Sequence, residues 1–347
     1  MTGTRVAVVG AGVTGLAAAW RLTRSGIGVE VFDSADRTGG RVGSNEFAGR
    51  LVDTGPDALG PDPALDELLE QIGMAGQIEI PGPAQAFKLT AEGELEPFGV
   101  GGGAMFGLAG GIFSLPERLE ELLREAGAGI RLGIPVEEVE DRGDGVVLRT
   151  GGHEEAFDAA VIATGARSAA GLLGGRVAAE LAAIKGLSVT LVHLAFPGDR
   201  VGREMNGTGY LADPADGRLV TGCSWSSAKW KRLAGEPVIL RASVREAGQA
   251  TVIGLDDEAV VARVMAELRP VMEIEGEPVE AAVTRYADAL VVRDEGHEAA
   301  VAAVREELDG RPRLGLVGAD LDGPGISRSI AGVRHTVDAI IEGTTND

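Results

Sequence analysis

Arg5-Val-Ala-Val-Val-Gly10-Ala-Gly12-Val-Thr-Gly15 opens the chain. Four strand-prone residues run straight into Gly-x-Gly-x-x-Gly, and a helix-prone stretch over 16–24 follows, closed by Gly26. In this pattern the first glycine permits a tight turn and the second lets backbone N–H groups approach a pyrophosphate. The third lets helix and strand pack closely, with the positive end of the helix facing the anion. A second strand over 29–32 ends in Asp33, eighteen positions after Gly15, with Ser34 behind it. A carboxylate there is placed to accept hydrogen bonds from an adenosine ribose. The expected ligand is a dinucleotide, held by Gly10, Ala11, Gly12, Val13, Thr14 and Gly15 with Asp33 and Ser34.

The chain has 347 residues, enough for a substantial core and for two domains or one large intertwined unit. Its formal charge of −21 argues against a nucleic-acid surface and against docking on anionic lipid. The same charge gives no long-range pull on an anionic substrate, which would need a local basic patch. One cysteine, Cys223, leaves no partner for an internal disulfide and fits a reducing cytoplasm. The first apolar run is the opening strand itself, so no signal peptide is expected, and no apolar run reaches bilayer length. No metal-ligand spacing stands out, and nothing in the pattern specifies an oligomer.

Asp36-Arg-Thr-Gly39-Gly40-Arg41-Val42 supplies a further glycine turn between cations, and Leu51-Val-Asp53-Thr-Gly55-Pro56-Asp57 reads as a short strand ending in a turn. A helix is expected from Asp62-Pro63, with Leu65, Leu68, Leu69 and Ile72 on one face. A hairpin over 86–98 turns at Glu92-Gly93. The stretch over 98–113 holds seven glycines and reads as a loop over the core, the alternative being an apolar flap beside a ligand. Ser114-Leu-Pro-Glu117 has the form of a capping box. Strands are expected over 134–140, 145–149, 154–157 and 159–163, the last leading into Ala163-Thr164-Gly165. From 187 onward, longer strands over 189–195, 209–212, 218–223 and 238–244 suggest a mostly antiparallel sheet. Helices over 257–268 and 296–308 flank another strand over 279–285. At the end, Leu314-Gly-Leu-Val-Gly318-Ala-Asp320 reads as a buried strand, and Gly323-Pro-Gly325-Ile326-Ser327 turns into a closing helix. Ile326, Ile330, Val333, Val337, Ile340 and Ile341 share one face of that helix.

Taken together, the opening motif, Gly39-Gly40-Arg41, the Gly55-Pro56-Asp57 turn, Ala163-Thr164-Gly165 and the closing strand–glycine–helix resemble the flavin amine oxidase superfamily. Cys223-Ser-Trp225-Ser-Ser-Ala-Lys229-Trp230, Leu240-Arg241-Ala-Ser-Val-Arg245 and Gly296-His297 narrow the likeness to the protoporphyrinogen/coproporphyrinogen oxidase family. Two departures accompany it. Only the short glycine-rich stretch stands where that family carries a helical insertion, and Tyr286-Ala-Asp-Ala stands where it usually has a Trp followed by a Pro-Gln-Tyr-type run.

The resemblance implies an α/β fold. A discontinuous Rossmann-like FAD-binding domain (1–85, 114–175 and 312–347) would hold an inserted α+β substrate domain (176–311) on a mostly antiparallel sheet, with 86–113 as a shortened substrate-side hairpin and loop. It implies FAD as cofactor, a porphyrinogen as substrate and oxygen as acceptor, with another small amine or metabolite as the alternative substrate. A third reading is a weakly catalytic FAD-binding paralogue that acts through a partner.

By the same resemblance, Gly40 and Arg41 serve the phosphates or the ribityl chain, and Gly55, Pro56, Asp57 and Ala58 run beside the flavin ring. Val136 reads the adenine edge, and Ala163, Thr164, Gly165, Gly318 and Asp320 line the cofactor with Tyr286. Gly325, Ile326 and Ser327 open the last helix, whose positive end would meet the negative charge of a reduced flavin ring. Trp225, Lys229 and Arg241 are the substrate candidates, Lys231 and Arg232 lying near them; a solvated face or core packing is the plainer reading of this group. No side-chain base is required. His153, His193, His297 and His335 read as structural, and Cys223 as packed rather than reactive.

Overall fold

The computed structural model describes residues 3–83, 85–99, 105–245, 252 and 254–345. The chain begins with β1 (Arg5–Val9), α1 (Val13–Arg24) and β2 (Gly28–Phe32), and returns much later as β3 (Gly129–Arg131) and β4 (Ala159–Ile162). It leaves again through β5 (Gly186–Phe196), β6 (Val238–Arg245) and β7 (Glu280–Val291). It then closes with β8 (Leu314–Leu316) and α2 (Ile326–Thr345).

Strands β8, β4, β1, β2 and β3 form one parallel sheet in that order. Val6, Ala7 and Val8 in the middle strand are wholly buried because both faces are covered, so β1 reads as a continuous apolar run instead of an alternation. On one face lie α1, α2 and the helices Pro63–Gln71 and Ser114–Glu125. On the other lie the helices Ala166–Leu172, Gly175–Ala183 and Glu295–Asp309, with a three-stranded sheet of Val136–Asp141, Val146–Thr150 and His153–Phe157. Ile330, Val333, Val337 and Ile340 of α2 are buried on the first of these faces, and β8 pairs with β4. Opening and closing segments therefore share one sheet and one core.

A second sheet has the order β7, β5, β6, Val220–Ser224, Gly209–Ala212, Ala86–Leu89, Leu95–Phe98. Its pairings are antiparallel except that between Gly209–Ala212 and Ala86–Leu89. Alternation along β6 sends Leu240, Ala242 and Val244 into a core with Val260, Val264 and Leu268 of the helix Asp257–Met272. Arg241, Ser243 and Arg245 take the opposite face.

Local chemistry accounts for most of the element ends. Asp62 caps Pro63–Gln71, accepting the Ala64 N–H at 2.9 Å, with Pro63 in the first turn where its missing N–H is harmless. The capping box expected at Ser114 does not form. Phe113 already has near-helical dihedrals, so Ser114 lies inside the helix and its hydroxyl turns back to donate to the Gly111 carbonyl at 2.6 Å. β3 and the helices Ala166–Leu172 and Gly175–Ala183 are additional to the sequence reading; three residues are too few for an alternation, and an Ala/Gly-rich run carries little period. β7 runs past the expected end at 285. It passes through Asp288, whose φ is +48°, where the register with β5 shifts. Of the glycine-rich stretch, 100–104 lies outside the described residues, while Gly107–Leu108 pairs with Ile78–Glu79.

Candidate functional site

The turn after β1 is built so that backbone stays bare. Gly10 has φ +110°, and a Cβ there would lie 2.8 Å from the Ala163 carbonyl oxygen. A Cβ on Gly15 would sit 1.8 Å from the Gly10 carbonyl oxygen, which is the close strand–helix contact expected of the third glycine. A Cβ on Gly12 would meet no protein atom within 4 Å, although Gly12 borders the main cavity. The three glycines thus divide the work: two pack, and the middle one keeps a wall low.

That cavity has a volume of about 480 Å³, within the range of small-molecule sites. Gly10, Gly12, Val13, Thr14 and Asp33 border it from the first turn, with Gly40, Arg41, Gly55 and Pro56 beyond them. Ala163, Thr164 and Gly165 border it after β4, and Gly318, Asp320, Gly325 and Ile326 from the closing segment. The third boundary is the second sheet, through Val189, Leu191, Arg241, Ser243, Arg245 and Tyr286. The N-terminus of α2 therefore opens onto the same space as the N-terminus of α1.

Asp33 is held beside the turn by accepting the Ala11 N–H at 2.6 Å and the Ala35 N–H at 2.8 Å. Asp320 accepts the Ala166 N–H at 2.8 Å, and His297 Nε2 lies 2.8 Å from its carbonyl oxygen. Arg41 donates to the carbonyls of Ala289 at 2.9 Å and Asp288 at 3.2 Å, tying the first glycine turns to the irregular part of β7. The Tyr286 and Thr54 hydroxyls are 3.4 Å apart.

Under the cavity floor lies a buried charge cluster. Asp57 pairs with Arg241 Nη1 at 2.8 Å and Lys229 Nζ at 3.1 Å, and accepts from Ser224 Oγ at 3.2 Å and Trp230 Nε1 at 3.4 Å. Burial alone would raise this carboxyl, but Arg241 and Lys229 outweigh it and hold Asp57 far below the usual range. Nearby Asp53 pairs with Arg232 and accepts the Phe113 N–H at 3.1 Å. There burial wins and pushes the carboxyl up to about 6. His193, beside Arg241 on β5, is pushed down to about 3 by burial and then by the Arg241 charge, so it is neutral near pH 7. Burial pushes the Cys223 thiol up to about 12, which keeps it protonated.

Several expected site residues do not border the cavity. Ala11 and Gly15 lie behind the turn, and Ser34 is exposed. Ser327 donates to the Gly60 carbonyl at 2.6 Å. Asp57 organises the charge cluster, and Ala58 packs with Phe47 and Trp230. Val136 packs against the cluster around Phe32 and Phe157. Trp225, expected at the substrate, is instead 1% exposed and packed against Phe87, at the turn between the strand Val220–Ser224 and the short helix Ser226–Lys229, in the core of the second sheet. Lys229 is spent on Asp57 and on the Trp230 ring, 4.9 Å away; of the three substrate candidates, only Arg241 borders the cavity. Val189, Leu191, Ser243 and Arg245 were not anticipated. For Ser243 and Arg245 the period-2 alternation of β6 was the available signal, since Arg241, Ser243 and Arg245 oppose a buried Leu240, Ala242 and Val244.

Residues 88–326 match the profile of the flavin containing amine oxidoreductase family. The chain belongs to that family. Residues 8–72 match the NAD(P)-binding Rossmann-like domain. The chain is 33% identical over 177 residues to the coproporphyrinogen III oxidase of Bacillus subtilis, covering 49% of this chain and 37% of that one. Over 97 residues it is 40% identical to the coproporphyrinogen III oxidase of Propionibacterium freudenreichii, covering 28% of this chain and 18% of that one. The matched stretches thus span well under half of either relative. In fold it is similar to a protein of Exiguobacterium sp. 255-15 provisionally named a protoporphyrinogen oxidase, with TM-score 0.85, 21% identity and coverage of 98% and 99% of the two chains. It is also similar to putrescine oxidase bound to putrescine, with TM-score 0.72, 16% identity and coverage of 98% and 99%. The family is one of flavin-containing oxidoreductases by its description. Among the described residues no helix is long and apolar enough to cross a membrane, and no cluster of three metal-ligating side chains occurs.

Proposed function

We propose that the protein is an FAD-dependent oxidase that dehydrogenates a porphyrinogen, with oxygen as acceptor. One observation carries the FAD reading: a single cavity is bordered by the bare backbone at Gly12, by Asp33 and by the N-terminus of α2. The cradle fits the group, because a side chain at Gly12 would protrude where backbone must approach a diphosphate. Gly10, Gly12, Thr14 and Asp33 would hold the adenosine diphosphate part, and Arg41, Gly165 and Asp320 the polyol. Gly325 and Ile326 would face the ring, their backbone N–H groups and the helix's positive end stabilising negative charge without a titrating side chain. Bound there, FAD supplies hydride acceptance and the return of electrons to oxygen. Near pH 7 burial keeps His193 neutral and Cys223 protonated, so neither is poised to relay a proton.

The porphyrinogen reading draws on the coproporphyrinogen III oxidases it resembles. A smaller amine is the second reading, favoured by the similarity to putrescine oxidase and by the short stretch between β-hairpin and helix over 99–113. Uptake of FAD by the purified chain, followed by its visible absorbance, tests the cofactor. Oxygen consumption and porphyrin fluorescence above a no-enzyme control with coproporphyrinogen III then test the substrate. Turnover of putrescine or cyclohexylamine with inertness toward coproporphyrinogen III would select the second reading.

A further inference from the structure

The pairing of β6, β5 and β7 lays three rows of side chains across the sheet face that borders the cavity. Arg245, Val189 and Tyr286 form one row, Ser243, Leu191 and Thr284 the next, and Arg241, His193 and Ala282 the third. Cations thus stand at the first and third rows of one strand, four residues apart, or about 13 Å. Their states differ. Arg241 is buried and paired with Asp57, whereas the Arg245 guanidinium is exposed and has no hydrogen bond or ion pair among the described residues.

The other charged groups bordering the cavity are likewise engaged. Arg41 binds two carbonyls, Asp33 two backbone N–H groups and Asp320 the Ala166 N–H. In a chain with net charge −21, a cation with no acidic partner among the described residues is conspicuous, because carboxylates outnumber bases by 53 to 32. That net charge repels an anionic ligand at long range, so such a ligand must be held by a local donor. Arg245 meets the requirement. It stands two strands from the aromatic ring of Tyr286, about 10 Å away, with the Ser243 hydroxyl one step along the same face.

We propose that Arg245 anchors a carboxylate of the substrate, with Ser243 as a second donor, so that the enzyme selects acidic over neutral ligands. The planar fork of the guanidinium suits a carboxylate, and its exposure lets it engage an incoming ligand without breaking an existing pair. This inference rests on the substrate reading of the cavity, and deepens it by naming the group recognised.

The test compares the wild type, Arg245→Gln and Arg245→Lys after FAD loading, with coproporphyrin III and its tetramethyl ester as probes and quenching of porphyrin fluorescence as readout. Loss of one charged hydrogen bond corresponds to a rise of about tenfold in Kd for the tetracarboxylate in Arg245→Gln. Arg245→Lys should restore part of it, all three proteins should bind the ester alike, and FAD affinity should not change. In turnover, KM for coproporphyrinogen III should rise by more than kcat falls. An unaltered Kd for the tetracarboxylate overturns the proposal, as does a tenfold loss of FAD affinity, which would assign Arg245 to the cofactor's phosphates. A wild type that loads FAD yet does not bind coproporphyrin III also overturns it. A wild type that binds it through Arg245 but consumes no oxygen with coproporphyrinogen III leaves the carboxylate site standing and removes the oxidase reading alone.

Discussion

Replacing Asp57 with Asn should destabilise the protein far more than an exposed ion pair would suggest. The Asp57, Lys229 and Arg241 side chains are 16%, 12% and 10% exposed, so the substitution strands two cations with little water to solvate them. Removing one partner of a buried pair costs about 3–5 kcal/mol. Asn keeps the shape and can still accept from Ser224 and Trp230, which places the expected loss near the lower end, about 3 kcal/mol. Urea unfolding of the whole chain, followed by tryptophan fluorescence, reads this as a lower midpoint at unchanged slope. Adding Lys229→Met should return about 1 kcal/mol or more, because one stranded cation is then gone. Since Asp57 titrates below its unfolded value, its contribution is complete above about pH 4 and fades as the medium is acidified further. The gap between wild type and variant should therefore be flat from pH 6 to 8 and close below about pH 4. A loss under about 1 kcal/mol at pH 7, or a double variant weaker than the single one, would refute the reasoning.

The glycines of the first turn give a paired test. Gly12→Ala should leave the stability of the apoprotein within about 0.5 kcal/mol, because its Cβ meets no protein atom within 4 Å, yet weaken FAD binding at least about tenfold in a titration. Gly15→Ala drives a Cβ to 1.8 Å from the Gly10 carbonyl oxygen and should lower thermal stability by about 1–3 kcal/mol with or without FAD. Equal behaviour of the two variants would contradict the division of roles. Burial holds the Asp53 carboxyl near 6, so between pH 4 and 6 the unfolded chain loses a proton that the folded chain keeps. Folding stability should fall across that window through this group, and urea titrations at pH 4.5 and 6.5 should find the fall reduced in Asp53→Asn.

Alongside the apolar cluster of Phe47, Val52, Ala195, Trp230, Leu233 and Ile239, long-range polar contacts tie the first part of the chain to the second sheet. Arg41 reaches β7, Asp57 holds Lys229 and Arg241, and Asp53 holds Arg232. Each of these links starts at or next to one of the glycine turns that border the cavity, so cavity shape and inter-sheet attachment depend on the same residues. This is why charge changes at Asp57 are expected to register as stability and as ligand affinity together.

The residues whose roles are local were legible in sequence. A Gly-x-Gly-x-x-Gly turn after an apolar run, an Asp at the end of the next strand, an Asp-Pro helix start and the apolar stripe of α2 each depend on spacings of a few residues. Chain order carries such spacings directly, because dihedral preferences and side-chain periods act over one or two turns. Short or Gly/Ala-rich elements such as β3 and Ala166–Leu172 lack a period and went unread. Only the tertiary structure decided what the charged side chains do. Lys229 and Arg241 look alike as basic residues near a turn, yet one is consumed beneath the floor, the other borders the cavity while paired, and Arg245 has no partner among the described residues. Their partner Asp57 lies more than 170 positions away from Lys229 along the chain, and no period links them. Electrostatic pairing acts through space, and space is set by how the two sheets meet.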